Sequence, residues 1–276
     1  MRRLTAKQTA ATLRDHGLDR PGRTAFAFRD SARGTFYDWH THPNHQLIFA
    51  LEGATQIETA QARYFLPLGR AAWIPAGVRH RTLITDFDGT SLYFSRAAVP
   101  GAGERVRILV ADALMREMAV YAMRWPRGAA RRSRLATSFF QTLALLCGQW
   151  LESELPLSLP SAAHPGLTRA MDYALHDLAA ATQAAACQEA GMSERTFRRM
   201  FLSETGITWQ AWLTQARILN AMALLAEGRR VTDVAADVGY QSLSAFAKAF
   251  FQLTGENPAR YRQRVTAHFA SHISGL

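Results

Sequence analysis

Apolar positions along the chain follow two different periods. Between about residues 24 and 94 they form short runs at 46–51, 55–58, 63–66, 71–74, 82–84 and 91–94. Gly53 and the segments 67–69, 75–77 and 86–89, rich in glycine, proline and aspartate, separate them. Short strands punctuated by turn residues predict a sandwich or barrel. After the Pro-Gly-Ala-Gly segment at 100–103 the spacing becomes helical, at 106–121 and again at 133–151, with a basic loop at 127–134 between. Prolines at 156 and 160 then break the chain, and everything beyond His164 reads as helix and turn. The expectation is an α+β protein in three parts: a strand-rich barrel at 1–100, a helical connector and candidate dimerisation element at 101–160, and an all-α domain at 161–276.

The all-α part contains a duplication. Gly191 matches Gly239 at an offset of 48, while Phe201 with Phe250, Gly206 with Gly255 and Trp212 with Tyr261 match at 49. In the second copy Val231, Val234, Ala235 and Val238 form the apolar stripe of a short helix. Gly239 supplies a turn, Ser242 a cap, and Phe246 and Phe250 return a second helix onto the first. That is a helix-turn-helix. The first copy repeats it with Ala186, Ala190, Gly191, Ser193, Phe197 and Phe201, and a long helix at 208–227 joins the two.

Positions not consumed by cap, turn or core are free to face a DNA groove. In the first copy they are Glu194, Arg195, Thr196, Arg198 and Arg199, and arginine binds guanine bidentately or neutralises phosphate. In the second they are Leu243, Ser244, Ala245, Ala247 and Lys248, poorer in hydrogen-bonding groups. The first copy is therefore expected to read bases, and the second to position the protein through Ser242, Ser244 and Lys248. The bland alternative is that these cations only solvate helix faces; two units in register weigh against it.

From about Leu167 to Arg264 these residues resemble the AraC/XylS family of transcription regulators. The match lies in Ala-Gly-Met-Ser-Glu-Arg-Thr-Phe-Arg-Arg-Met-Phe at 190–201, Thr-Gly at 205–206, Val-Gly-Tyr at 238–240, Ser242, Phe246, Lys248, Phe250, Pro258 and Tyr261-Arg262. The resemblance implies that both second helices enter successive major-groove segments on one face of double-stranded DNA. Two departures stand out. Ala186 and Gln183 replace bulkier apolar residues, at about 0.8 kcal/mol per missing buried methylene, so the first unit is expected to be the softer one. Lys248 replaces the commoner arginine, keeping charge without the bidentate fork.

In the strand-rich part, His40-Thr41-His42 with Gln46 and Gly53, followed by Gly69, Pro75, Gly77 and His80, is similar to the cupin signature. Positions 40, 42 and 46 share strand parity and point to one side, with His45 on the other. The resemblance implies one divalent transition metal on His40, His42, Gln46 and His80. Gln46 stands where cupin enzymes carry glutamate, removing a negative ligand; the same histidines could simply line a ligand pocket. Trp39, Phe49, Trp73 and Tyr93 are candidate apolar walls for a small-molecule effector.

Net charge changes little. The chain carries +10, but residues 164–276 hold 11 Lys+Arg against 9 Asp+Glu, so the excess lies outside the DNA-binding part. The two cysteines, Cys147 and Cys187, form no zinc or disulfide spacing. No apolar leader or spanning stretch is apparent, so a cytoplasmic protein with no membrane partner is expected. The function expected is that of a DNA-binding transcription regulator, not an enzyme, controlled by a small molecule or metal, acting as a homodimer, with RNA polymerase a further candidate partner. The alternatives are a metal-dependent cupin dioxygenase or isomerase with a helical appendage, and a ligand-free architectural DNA-binding protein.

Overall fold

The structure, a computed structural model, describes residues 2–22, 25–128 and 133–273, with the side chains of 30–33, 85, 86 and 267–273 left aside. Part of the expected basic loop, residues 129–132, thus lies outside the described residues. The chain divides into two units: Met1–Ala60 with Tyr64–Pro156, and Gln61–Arg63 with Leu157–Leu276.

The first unit runs β1 (Arg2–Arg3), α1 (Ala6–Asp15), β2 (Phe26–His40), β3 (His45–Glu58), β4 (Ala62–Pro67), β5 (Arg70–Ile74), β6 (His80–Phe94), β7 (Arg107–Val110), α2 (Ala113–Ala122), α3 (Arg134–Trp150) and β8 (Glu154–Leu155). Its sheet is ordered β1-β2-β6-β3-β5-β7-β8, with β4 beside β3. Two turns expected from glycine are not turns. β3 passes straight through Gly53, whose φ of 68° sits among register shifts against β6, so the glycine makes a bulge. β6 likewise runs through 86–89, paired on both sides. A Cβ on Gly89 would lie 2.4 Å from the Phe49 carbonyl oxygen, so glycine here permits close backbone approach.

The helix expected over 106–121 is also divided. The branched run Arg107–Val110 pairs with β5 instead, and Asp112 restarts the chain as α2 by accepting a hydrogen bond from the Met115 amide at 2.7 Å. Strand alternation then sorts the sheet's two faces. Leu47, Phe49, Trp73, Leu92 and Phe94 pack with Met115 and Ala119 of α2 and with Phe140, Leu143, Cys147 and Trp150 of α3 in one core. The connector helices thus share the core of the strands. Gln46, Ile48 and Tyr93 face the other way, toward α1.

The second unit runs β9 (Ser158–Pro160), α4 (Pro165–His176), α5 (Gln183–Ala190), α6 (Glu194–Thr205), α7 (Trp209–Ala226), α8 (Val231–Asp237), α9 (Leu243–Thr254) and α10 (Pro258–Ile273). The duplication extends to individual hydrogen bonds. Ser193 and Ser242 cap α6 and α9 by accepting from the amides of Thr196 and Ala245, both at 3.4 Å. Thr205 and Thr254 donate to the carbonyls of Phe201 and Phe250 at 2.7 and 2.8 Å, and left-handed Gly206 and Gly255 end the two helices.

Candidate DNA-reading helices and ligand cavity

Each helix-turn-helix is held by aromatic packing behind its second helix. In the first, fully buried Phe197 and Phe201 pack edge-on against Trp209, which stacks on Trp212 at 5.3 Å. In the second, Phe246 meets Tyr240 and Phe250 meets Tyr261. The turns differ in what requires glycine. Gly191 has φ 66° and open space around it, whereas a Cβ on Gly239 would also sit 2.8 Å from the Ala179 backbone.

With those phenylalanines inward, the opposite faces of α6 and α9 are fixed. Arg195, Arg198 and Arg199 are exposed and Thr196 is half-buried. Arg198 is not free: it pairs with Glu194, which also accepts from the Gln183 amide at 2.7 Å. Arg195 and Arg199 have no ion-pair partner among the described residues. On α9, Ser242, Ser244 and Lys248 are exposed, but the two serine hydroxyls bond each other at 2.7 Å. Sequence reasoning passed over two exposed apolar side chains, Leu202 and Phe251, which occupy equivalent positions on the two helices.

The expected softness of the first unit has a structural counterpart. α5 buries only Ala186, Cys187 and Ala190, whereas α8 buries Val234 and Ala235 and ends on buried Val238. Amide hydrogen exchange is expected to run faster in α5 than in α8. The reverse order would contradict a softer first unit.

In the first unit, His40, His42, His80 and Gln46 come together. Ring centroids are 4.2 Å apart for His40 and His80, 5.1 Å for His42 and His80, and 6.4 Å for His40 and His42. His45 points away, stacked on Trp73 and accepting from the Ala76 amide. Every Nδ1 in the trio faces a carbonyl: Asp38 at 2.7 Å for His40, Asn44 at 2.6 Å for His42, Val78 at 2.9 Å for His80. A carbonyl only accepts, so Nδ1 carries the proton and Nε2 is the lone-pair side. Burial holds all three imidazoles neutral, lowering His40, taking His42 to about 4 and pushing His80 well below its ordinary value. The Gln46 amide lies 3.0 Å from His42 Nε2 and 3.0 Å from Ser91 Oγ. Turning its NH2 to His42 and its oxygen to the Ser91 hydroxyl satisfies every partner.

His40, His80 and Gln46 open onto a cavity of about 90 Å³ whose other walls include Leu13 of α1 and its C-terminal cap His16, Ile48, Thr82, Ile84 and Tyr93. Of the aromatic walls expected, only Tyr93 is present. Phe49 and Trp73 lie in the core on the opposite sheet face, and Trp39 is stacked beneath Arg79 and Arg81 at 5.0 Å each. The Nδ1-protonated imidazoles suit metal ligation, but Gln46 is bonded within the protein. Among the described residues no group of three or more His, Cys, Asp or Glu is placed to hold an ion. The set as it stands does not fit a metal.

Neutral burial has a cost in acid. His42 binds its proton near 6.5 when unfolded but only at about 4 when folded, so stability is intact above pH 6.5 and falls as pH drops from 6.5 toward 4. The loss expected from His42 alone is roughly 3 kcal/mol, read by urea unfolding at pH 7 and pH 4. A His42→Asn variant with an unchanged pH slope would contradict it.

Two helix-turn-helix units on a duplicated scaffold, together with a strand-built cavity in the first unit, define a helix-turn-helix transcription regulator with a ligand-binding domain. Residues 25–192 match the AraC-like ligand binding domain and residues 186–264 a helix-turn-helix domain. The chain belongs to the AraC family of regulators. It is 29% identical over 236 residues, 82% of each chain, to the HTH-type transcriptional regulator NimR of Escherichia coli strain K12. The HTH-type transcriptional activator RhaR of the same strain is 34% identical over 77 residues, 28% of this chain and 27% of that protein. Among solved structures, the DNA-binding domain of AdpA in complex with a target DNA is 34% identical with a TM-score of 0.35, covering 37% of this chain and 94% of that one. The protein is thus a DNA-binding regulator that takes a small-molecule effector. Among the described residues no helix is long and apolar enough to cross a membrane.

Proposed function

We propose that α6 reads bases through Arg195 and Arg199, with Arg198 and Thr196 in support, and that α9 anchors the complex through Lys248 and the Ser242–Ser244 cap. The observation that carries this is the pair of arginines, without an ion-pair partner among the described residues, on the exposed face of a helix whose other face is locked by Phe197 and Phe201. Effector binding in the cavity beside His40 and His80 alters operator affinity. The effector is an organic molecule rather than a metal ion, and the protein acts in the cytoplasm without catalysing a reaction. The protein works as a homodimer through α2 and α3, whose Leu114, Tyr121, Leu135 and Leu145 are exposed.

Genome-wide mapping of bound DNA tests this reading. Enrichment at promoter-proximal sites sharing one sequence is expected, and no enrichment over an untagged control would contradict it. Stoichiometric metal in protein purified without a nickel column would overturn the organic effector.

A further inference from the structure

The two reading helices differ in chemistry, not only in charge. An α-helix advances 100° per residue, so burial of Phe246, Phe250 and Thr254 turns Ser244, Ala245, Lys248 and Phe251 outward on α9. The same rotation on α6 presents Arg195, Thr196, Arg199 and Leu202. Each helix therefore sets a cation and a large apolar side chain three residues apart, Arg199 with Leu202 and Lys248 with Phe251. Phe251 is 58% exposed and Leu202 49%, on the surfaces meant for DNA. Leu243 at the start of α9 and Gln252 beside Phe251 are exposed as well, but the remaining polar groups are largely committed. Ser242 caps the Ala245 amide and is bonded to Ser244, and Lys248 is a flexible point charge suited to phosphate.

The major-groove edge offers one apolar feature, the C5 methyl group of thymine. We infer that Phe251 makes α9 a thymine reader by packing its ring on that methyl. This rests on the reading that both α6 and α9 enter DNA. It gives the second unit a sequence preference through an apolar contact.

Uracil differs from thymine only by lacking the methyl, so it isolates the contact. With the full-length protein and an operator obtained by in vitro selection, each thymine is replaced singly by deoxyuridine and affinity is measured by fluorescence anisotropy. At one or two thymines in the segment covered by the second unit, a loss of about fourfold per methyl is expected, from the value of one buried methyl group. In Phe251→Ala that sensitivity disappears, while sensitivities in the segment read by α6 persist. Phe251→Leu keeps part of it. Phe251 is exposed, so the alanine variant is expected to keep its melting temperature, which serves as the folding control.

Insensitivity of every thymine in that segment to uracil would overturn the inference, as would undiminished sensitivity in Phe251→Ala. A Phe251→Ala protein that binds both DNAs like the wild type but loses transcriptional effect would also overturn it, placing a protein on this face instead. A hydroxyl-radical footprint confined to the α6 segment would remove the two-helix reading beneath it.

Discussion

Phe201→Ala is expected to destabilise the DNA-binding unit by about 3–5 kcal/mol and to abolish operator binding, although the side chain touches no DNA. Phe201 is fully buried, with ring centroids 5.5 Å from Phe197, 5.3 Å from Trp209 and 6.1 Å from Trp212. Truncation removes the ring at the centre of that cluster and leaves a cavity that rigid aromatic neighbours cannot fill. Stabilities of whole domains are typically about 5–15 kcal/mol, so such a loss is a large share of the total. Urea unfolding followed by tryptophan fluorescence reads it, because Trp209 and Trp212 line the same cavity. Leu202→Ala, one residue along but exposed, should stay within about 0.5 kcal/mol. A Phe201→Ala cost below about 1 kcal/mol would mean that the aromatic cluster does not hold the first unit.

The second large effect concerns recognition. Arg195→Ala and Arg199→Ala are each expected to weaken operator binding by about 1–3 kcal/mol. Neither arginine has an ion-pair partner to give up among the described residues. Arg198 must exchange its contact with Glu194 for one with DNA, and exposed pairs of this kind contribute no more than about 1 kcal/mol. Arg198→Ala should therefore cost less than either neighbour. Equal losses for all three would indicate that Glu194 does not restrain Arg198.

How far these features were legible follows from what repeats in the sequence. Phe201 with Phe250 and Gly206 with Gly255 mark positions where only a large ring or a left-handed residue fits, so the second unit's architecture could be read from spacing. The histidine cluster was legible only from its cupin-like spacing: His40 ends β2, His42 lies in the turn and Gln46 in β3, so strand parity holds only within β3. The same parity puts Leu47 and Phe49 opposite Gln46 and Ile48, and choosing walls for being aromatic overlooked it. Gly53 and Gly89 misled because a bulge and a close backbone approach use the same residue as a turn. The contribution of α1 to the cavity arises from tertiary docking of a largely polar helix, which no local pattern announces. The Glu194–Arg198 pair sits at a helical spacing of four and was available to a closer reading of α6.

The most direct measurement is a full scan of single base-pair substitutions in the selected operator, performed with the wild type, Arg195→Ala and Arg199→Ala. Expected is a confined loss of discrimination, each variant becoming indifferent to one or two base pairs within one segment while the rest of the operator is read as before. A uniform fall in affinity across every operator sequence, with discrimination intact everywhere, would show that α6 holds phosphate and does not read bases.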